Sequence, residues 1–365
     1  MFLTKMKELV IKDKIAKLPI VQGGMGIGIS LSNLASAVAN EGGIGVISAA
    51  GIGMFYDKEG RSFEENNIFG LKHEIRKAKT MTNGLLGVNI MVALTNFGDL
   101  VTTALDEDID FIFAGAGLPL DLPKYKKDHH NTKLVPIISS GRAARLLAKK
   151  WIKNYNYVPD AFVLEGPKAG GHLGFKKGKV DDKENRLENL LIDVKENIAV
   201  FEETYQKQIP IIVGGGIYTG GDINHFLELG ASGVQMATRF VTTFECDASD
   251  AFKQSYIDAK VEDIVYIDSP VGLPGRAIRN EFLNEVAKGH KHPFACPYDC
   301  IITCKKEEAP YCITLALINA NKGKFKNGFA FAGTNAYLAE KIISVKTVIE
   351  AIKEEFSKAK LTYSL

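Results

Sequence analysis

A chain of 365 residues, 46% apolar and 24% charged, has the composition of a globular protein large enough for one big domain plus an appendage, and it is not that of a disordered chain. Its formal net charge of +2 provides no overall field to draw it toward nucleic acid or an anionic membrane surface. The opening MFLTKMKELVIKDKIAK is broken by lysines too often to hold the apolar stretch of a signal peptide, and no apolar run approaches the ~18 residues of a bilayer span, so the sequence reads as cytoplasmic with no membrane or nucleic-acid partner.

Taken in chain order, the first strand signal is PIVQGG from Pro19, which runs into QGGMGIGIS, where Gln22 to Gly28 offer donors and close backbone approach. Leu31, Leu34, Ala35 and Val38 then repeat at the helical period, and Gly42 and Gly43 supply a stop. IGVI at Ile44 is the second strand and LGVNIMV at Leu86 the third. Asn89 interrupts the latter; it is either a satisfied core amide or a donor and acceptor for a planar heteroaromatic ligand. IDFIFAG at Ile109, LVPIISS at Leu134, AFVLEG at Ala161, IPIIVGGG at Ile209 and GVQMATRF at Gly233 complete eight strands. Between the last two, Asp222 is expected to cap a helix with Ile223, Phe226 and Leu227 facing inward, ending at Gly230. Eight β/α units in series predict a closed parallel α/β structure, a (β/α)8 TIM barrel, with an open doubly wound sheet as the competing solution.

Past Ala248 the alternation fails. The helix-like AFKQSYIDAK leads to a strand-like IVYIDS, then to SPVGLPGRAIRN and a cysteine-bearing stretch. The expected organisation is a barrel over residues 1–248, a smaller lid domain over 249–335 leaning across the barrel mouth, and a C-terminal helix within 336–365, carried by ISVKTVIEAIKEEF, that returns to the barrel wall.

Barrels of this kind place their chemistry at the C-terminal ends of the strands. The glycine run VGGGI (Val213 to Ile217) and the stretch QMATRF (Gln235 to Phe240) follow strands seven and eight, the two loops where small residues commonly let backbone N–H groups close on a phosphate. Arg239 adds a charge there or forms a salt bridge in the wall. Neither a G-x-x-x-x-G-K-[ST] loop nor a helix-opening G-x-G-x-x-G occurs. In EGPKAGGHLG, His172 follows strand six with glycines around it and no obvious packing neighbours. Such a histidine titrates near neutral pH and can remove a proton or bind an anionic oxygen, or it simply caps a loop. Cys296, Cys300, Cys304 and Cys312 lie in CPYDCIITCKKEEAPYC, where a spacing of four puts the first three on one helix face. With no C-x2-C pair or ferredoxin spacing, no metal is expected, and His290 and His292 read as surface residues.

The blocks PIVQGGMG, GVNIM, EGPKAGGHLG, IPIIVGGGI and VQMATRF, in this order and followed by SPVGLPGRAIRN and GFAFAGTNA, resemble the nitronate monooxygenase family, formerly called 2-nitropropane dioxygenases. The resemblance implies a barrel carrying non-covalent FMN and an oxidoreductase that oxidises alkyl nitronates with O2. Flavin-dependent enoyl-acyl carrier protein reduction and NAD(P)H:quinone reduction are the alternatives on the same scaffold, and a non-redox barrel for a phosphate-bearing ligand is an outside reading. It further implies a small-molecule substrate, NAD(P)H as a candidate electron donor and a homodimer as a candidate assembly. Carried over residue by residue, the resemblance places Gln22, Gly24, Met25 and Gly26 near the flavin, Asn89 on the isoalloxazine and Glu165 at the ribityl side, with Gly170 and Gly171 also cofactor-binding. Gly214, Gly215, Gly216, Gln235, Met236, Ala237 and Thr238 hold the phosphate, and His172 is the catalytic residue beside the substrate. One departure stands out: the best-defined class has a proline before the methionine, where this chain has Gly24, and that keeps the reductase branch open.

Overall fold

The computed structural model describes residues 5–176, 178–292, 295–296 and 298–362. Eight parallel strands form its centre: β1 (Ile20–Gln22), β2 (Gly45–Ser48), β3 (Leu86–Met91), β4 (Phe111–Gly115), β5 (Lys133–Ile138), β6 (Phe162–Glu165), β7 (Ile211–Gly214) and β8 (Gly233–Met236). Their ladders run from β2 in order to β8 and on to β1. The Gln22 N–H donates to the Ile44 carbonyl at 2.9 Å and Val21 bridges Ile44 in parallel, so the sheet closes and the open doubly wound alternative is excluded. Both faces of the strands are covered, which is why they read as apolar runs rich in β-branched residues. Val21, Val46, Phe113, Val135, Val163 and Ile212 pack inside the barrel. Leu9, Ile11 and Ala16, from a hairpin of Leu9–Ile11 against Lys14–Ala16, join that interior cluster beneath them.

The outer ring comprises α1 (Ser32–Asn40), α2 (Phe63–Met81), α3 (Phe97–Asp106), α4 (Gly141–Tyr155), α5 (Leu187–Tyr205) and α6 (Gly220–Glu228), while β4 and β5 are joined through a single 3-10 turn, Leu122–Tyr125. Helix α1 buries Leu34, Ala35 and Val38, as its periodicity requires. The cap of α6 differs from expectation. Thr219 is the N-cap, its hydroxyl accepting from the Asp222 N–H, and the Asp222 carboxylate bonds back to the Thr219 N–H at 2.8 Å. A hydroxyl three residues upstream thus completes a reciprocal capping box, which satisfies two backbone donors where a lone aspartate would satisfy one. Ile223 and Phe226 are buried and Leu227 partly so.

Beyond β8 come the short α7 (Thr238–Val241), α8 (Asp250–Ile257), α9 (Glu281–Ala287) and α10 (Ile313–Asn321). An antiparallel sheet of Ile264–Asp268 and Pro274–Ile278 takes Gly171–His172, from the loop after β6, as its third strand. The cysteine segment is not a helix. Asp299 has φ +43°, and the backbone of residues 300–302 instead pairs with the loop after β3: Thr95 N–H to the Cys300 carbonyl at 3.2 Å and Ile302 N–H to the Ala93 carbonyl at 2.9 Å. The thiols therefore share no helix face. The last helix, α11 (Val345–Thr362), seats against α6 so closely that a Cβ on Gly220 would lie 2.2 Å from the Ile352 carbonyl oxygen.

Candidate active site

The strand ends meet over the barrel mouth, and small residues bring their side chains together. A Cβ on Gly24, just beyond β1, would sit 2.3 Å from the Asn89 Cβ, so glycine is what lets Asn89 of β3 project into the cleft. The Asn89 amide forms no hydrogen bond among the described residues and lines a cavity of about 800 Å³. Glu165, at the end of β6, lines the same cavity, and burial without a cationic partner pushes its carboxyl up to about 7. Gly24, Gly26, Glu165, Gly170, Gly171 and Gln235 also line an adjoining pocket of about 190 Å³, so the two volumes form one cleft.

The smaller pocket is walled by backbone. Gly215 and Gly216 have φ of +96° and +92°, and a Cβ on Gly215 would meet the Gly166 carbonyl oxygen at 2.8 Å. Among the described residues, the N–H groups of Gly215, Gly216 and Thr238 have no acceptor in the chain. Met25, Ala237, Thr238 and Lys168 complete the walls. Lys168 belongs to no ion pair among the described residues, and its side chain stands against Gly216. Exposed N–H groups beside a lysine are a cradle for an anion.

His172 lies in the three-stranded antiparallel sheet, not at the end of β6. It is also better packed than its flanking glycines suggest: Nε2 is 2.7 Å from the Ser269 Oγ, and its ring meets Phe331 edge-on at 4.9 Å between centroids. Burial pushes the imidazole down to about 4, so it does not titrate near neutral pH as expected, because desolvation disfavours the imidazolium.

Three expected cofactor residues lie outside the cleft lining. The Gln22 side-chain amide ties β1 to β2, accepting from the Val46 N–H at 2.9 Å and donating to the Val46 carbonyl at 3.2 Å. Met236 is core-packed at 1% exposure, and Gly214 lies within the β7 ladder opposite Gln235. Arg239 takes its structural reading: it pairs with Glu355 at 2.7 and 2.8 Å and donates to the Tyr218 carbonyl.

The structure adds residues that the sequence reading passed over. Lys168 sat inside the quoted EGPKAGGHLG block, a basic residue between glycines, and that was its signal. Phe331 and Gly333 come from GFAFAGTNA and face the cleft. Arg276, 3% exposed, donates to the Pro167 carbonyl and the Tyr266 hydroxyl at 2.7 Å each and to the Ala169 carbonyl at 2.5 Å, clamping the loop that carries Lys168; it lies within SPVGLPGRAIRN, where nothing marks the clamp. Cys300 lines the roof of the larger cavity with its Sγ 3.2 Å from the Thr314 hydroxyl. Among the described residues no group of three or more His, Cys, Asp or Glu side chains is arranged to hold a metal. His290 is exposed, but His292 is half-buried and stacks on Phe282 at 4.6 Å, which corrects its surface reading.

A family model described as nitronate monooxygenase matches residues 7–355. Among curated relatives, a probable nitronate monooxygenase of Staphylococcus aureus is 29% identical over 302 residues, covering 74% of this chain and 78% of that one. A (3aS,4S,5R,7aS)-5-hydroxy-7a-methyl-1-oxo-octahydro-1H-indene-4-carboxyl-CoA dehydrogenase of Mycobacterium tuberculosis is 28% identical over 274 residues, covering 75% of this chain. The match spans just under two thirds of the length of that dehydrogenase and of its Rhodococcus jostii counterpart, 66% and 64%. Of solved structures, FabK from Thermotoga maritima superposes with a TM-score of 0.72 at 27% identity, covering 96% of each chain.

Proposed function

Because the chain belongs to the nitronate monooxygenase family, we propose that it is an FMN-dependent oxidoreductase that oxidises alkyl nitronates with O2. The observation that carries this reading is the continuity of an anion cradle with a larger, mainly apolar cavity through Glu165 and Gln235. The cradle suits one phosphate: the N–H groups of Gly215, Gly216 and Thr238 donate, Lys168 balances charge, and no dinucleotide turn is present for a second. Asn89, Gln235 and Glu165 line the cleft beyond the cradle, and their amide and carboxyl groups would hold the ring and ribityl groups of the flavin. FMN, when bound, supplies the two-electron redox chemistry.

His172 stays neutral at physiological pH and, oriented by Ser269 and Phe331, hydrogen-bonds a substrate oxygen. A nitronate arrives already deprotonated and needs orientation. A neutral nitroalkane needs proton removal, for which an imidazole pushed down to about 4 is a poor acceptor. That difference favours the nitronate as substrate. Mass spectrometry of the released cofactor is the test: FMN is expected, and FAD, or no flavin after reconstitution, overturns the assignment.

A second reading, NAD(P)H-driven reduction of an enoyl thioester or quinone, is favoured by Gly24 in place of proline and by the size of the cavity. NAD(P)H consumption under anaerobic conditions separates the two.

A further inference from the structure

Arg276 is a buried cation that forms no salt bridge among the described residues. Its donors go to the Pro167 and Ala169 carbonyls and to the Tyr266 hydroxyl, and the guanidinium stands over the Tyr266 ring at 4.7 Å. The carboxylate that this chain of bonds reaches is Asp181, one hydroxyl further on, which accepts from Tyr266 at 3.0 Å. Tying the antiparallel sheet to the loop after β6 would need donors but no charge. A buried charge held only by neutral groups is costly, so its presence points to a task beyond the tie.

The main chain of the loop shows that task. Of its carbonyls, Gly166 accepts from the Ala169 N–H and Lys168 from the Thr334 N–H, each at 3.2 Å, while Pro167 and Ala169 accept from Arg276. The Gly166 N–H donates to the Gly214 carbonyl at 2.8 Å, and Pro167 has no N–H. The donors left over are the N–H groups of Lys168 and Gly170, which have no acceptor among the described residues. In a trans peptide the N–H points opposite to the C=O. Drawing the 167 and 169 carbonyls to Arg276 therefore turns these two N–H groups the other way. Lys168 and Gly170 line the smaller pocket, together with Gly215, Gly216 and Thr238. A carbonyl bonded to a cation also makes the N–H of its peptide a stronger donor.

We propose that Arg276 is a positioning residue for the anion cradle: it turns the Lys168 and Gly170 N–H groups onto the phosphate and, through those peptides, supplies a second positive charge. A phosphomonoester carries about two negative charges near neutral pH, and Lys168 offsets one. Arg239 is paired with Glu355 and offers none. The proposal rests on the reading of the smaller pocket as the phosphate site of FMN.

Calorimetry of flavin-free protein with FMN and with riboflavin, which lacks the phosphate, tests it. Wild type is expected to bind FMN the more tightly. Arg276→Met should lose about 10²-fold in FMN affinity, the lower end for two hydrogen bonds to a charged group, with riboflavin unchanged within about twofold. Arg276→Lys keeps the charge but not the planar fork and should lose about tenfold, again for FMN alone. A role confined to holding the fold would weaken both flavins alike. A second measurement needs no variant: in hydrogen exchange of the wild type followed by NMR, the Lys168 and Gly170 amides should exchange about tenfold more slowly with FMN bound than with riboflavin bound. An FMN preference that survives whole in Arg276→Met, equal losses of both flavins, or equal exchange in the two complexes each overturns the proposal and leaves the phosphate reading standing. Equal affinity of the wild type for FMN and riboflavin overturns the phosphate reading itself, and this inference with it.

Discussion

The two ends of the cleft are built from different materials. At β7 and β8 the wall is main chain, turned at positive φ through Gly215 and Gly216 and closed by the loop that Arg276 clamps. At the other end the wall is side chains: Leu94 and Asn96 follow β3, Cys300 and Thr303 come from the cysteine segment, and Ile313 and Leu317 from α10. A wall of main chain tolerates almost no substitution and recognises a charge that many ligands share. A wall of side chains can be exchanged one residue at a time, and it selects among substrates. On the function proposed above, cofactor retention falls to one end and substrate choice to the other.

The most severe way to break that division is at Gly215. Gly215→Val places a β-branched residue at φ +96° against the Gly166 carbonyl, and retained FMN should fall by about 10²-fold, the combined effect of backbone strain and collision. Flavin absorbance per chain after gel filtration reads it; wild-type occupancy would show that this turn does not hold the phosphate.

His172 tests the opposite end. His172→Ala should leave flavin content unchanged and slow anaerobic flavin reduction by about 10²-fold, the lower end of what acid–base and positioning groups contribute. Its pH signature follows from the depressed pKa. The imidazole is neutral both above its ordinary value of 6.5 and down to about 4, so the rate difference between wild type and variant should stay flat from pH 8 to pH 5 and change only as pH falls toward 4. An inflection near 6.5 that the variant lacks would contradict the buried, neutral imidazole.

Glu165 touches both volumes and sharpens the boundary. Its folded pKa of about 7 lies above the ordinary 4.5, so the folded protein binds the extra proton between those values and stability falls as pH rises across that window. Glu165→Gln should flatten the pH dependence of the melting temperature between pH 4.5 and 7 in flavin-free protein. An unchanged slope would mean that the carboxyl finds a partner in solution.

The smallest expected effect is none. Protein purified without chelators or metal-affinity resin should carry no stoichiometric zinc or iron on Cys296, Cys300, Cys304 and Cys312, and elemental analysis decides.

How much the sequence disclosed follows the same division. The barrel was legible because each strand is covered on both faces and reads as an apolar run, and because glycines mark the turns at Gly42 and Gly215. The anion cradle was legible for the same reason: main chain at positive φ appears in a sequence as glycine. His172 was visible as a residue, but its environment was not, since Ser269 and Phe331 lie 97 and 159 positions further on. Periodicity misled at the cysteines, because the spacing suits a helix while the backbone pairs with residues 93–95 instead. Gln22 misled by proximity: it adjoins the loop that faces the cleft, yet its own side chain points to Val46.

The pairing of Arg239 with Glu355 has a consequence for the order in which the protein can be completed. The two residues stand 116 positions apart, and Glu355 lies on α11, which also receives the Gly220 N–H at 2.8 Å. As the chain leaves the ribosome, all eight strands are out well before α11 exists, so the barrel can close while Arg239 still lacks its carboxylate and the start of α6 is uncovered. Helix α11, made after all eight strands, is therefore the one that fastens the turn after β8, and that turn stays unfastened until synthesis has passed Glu355.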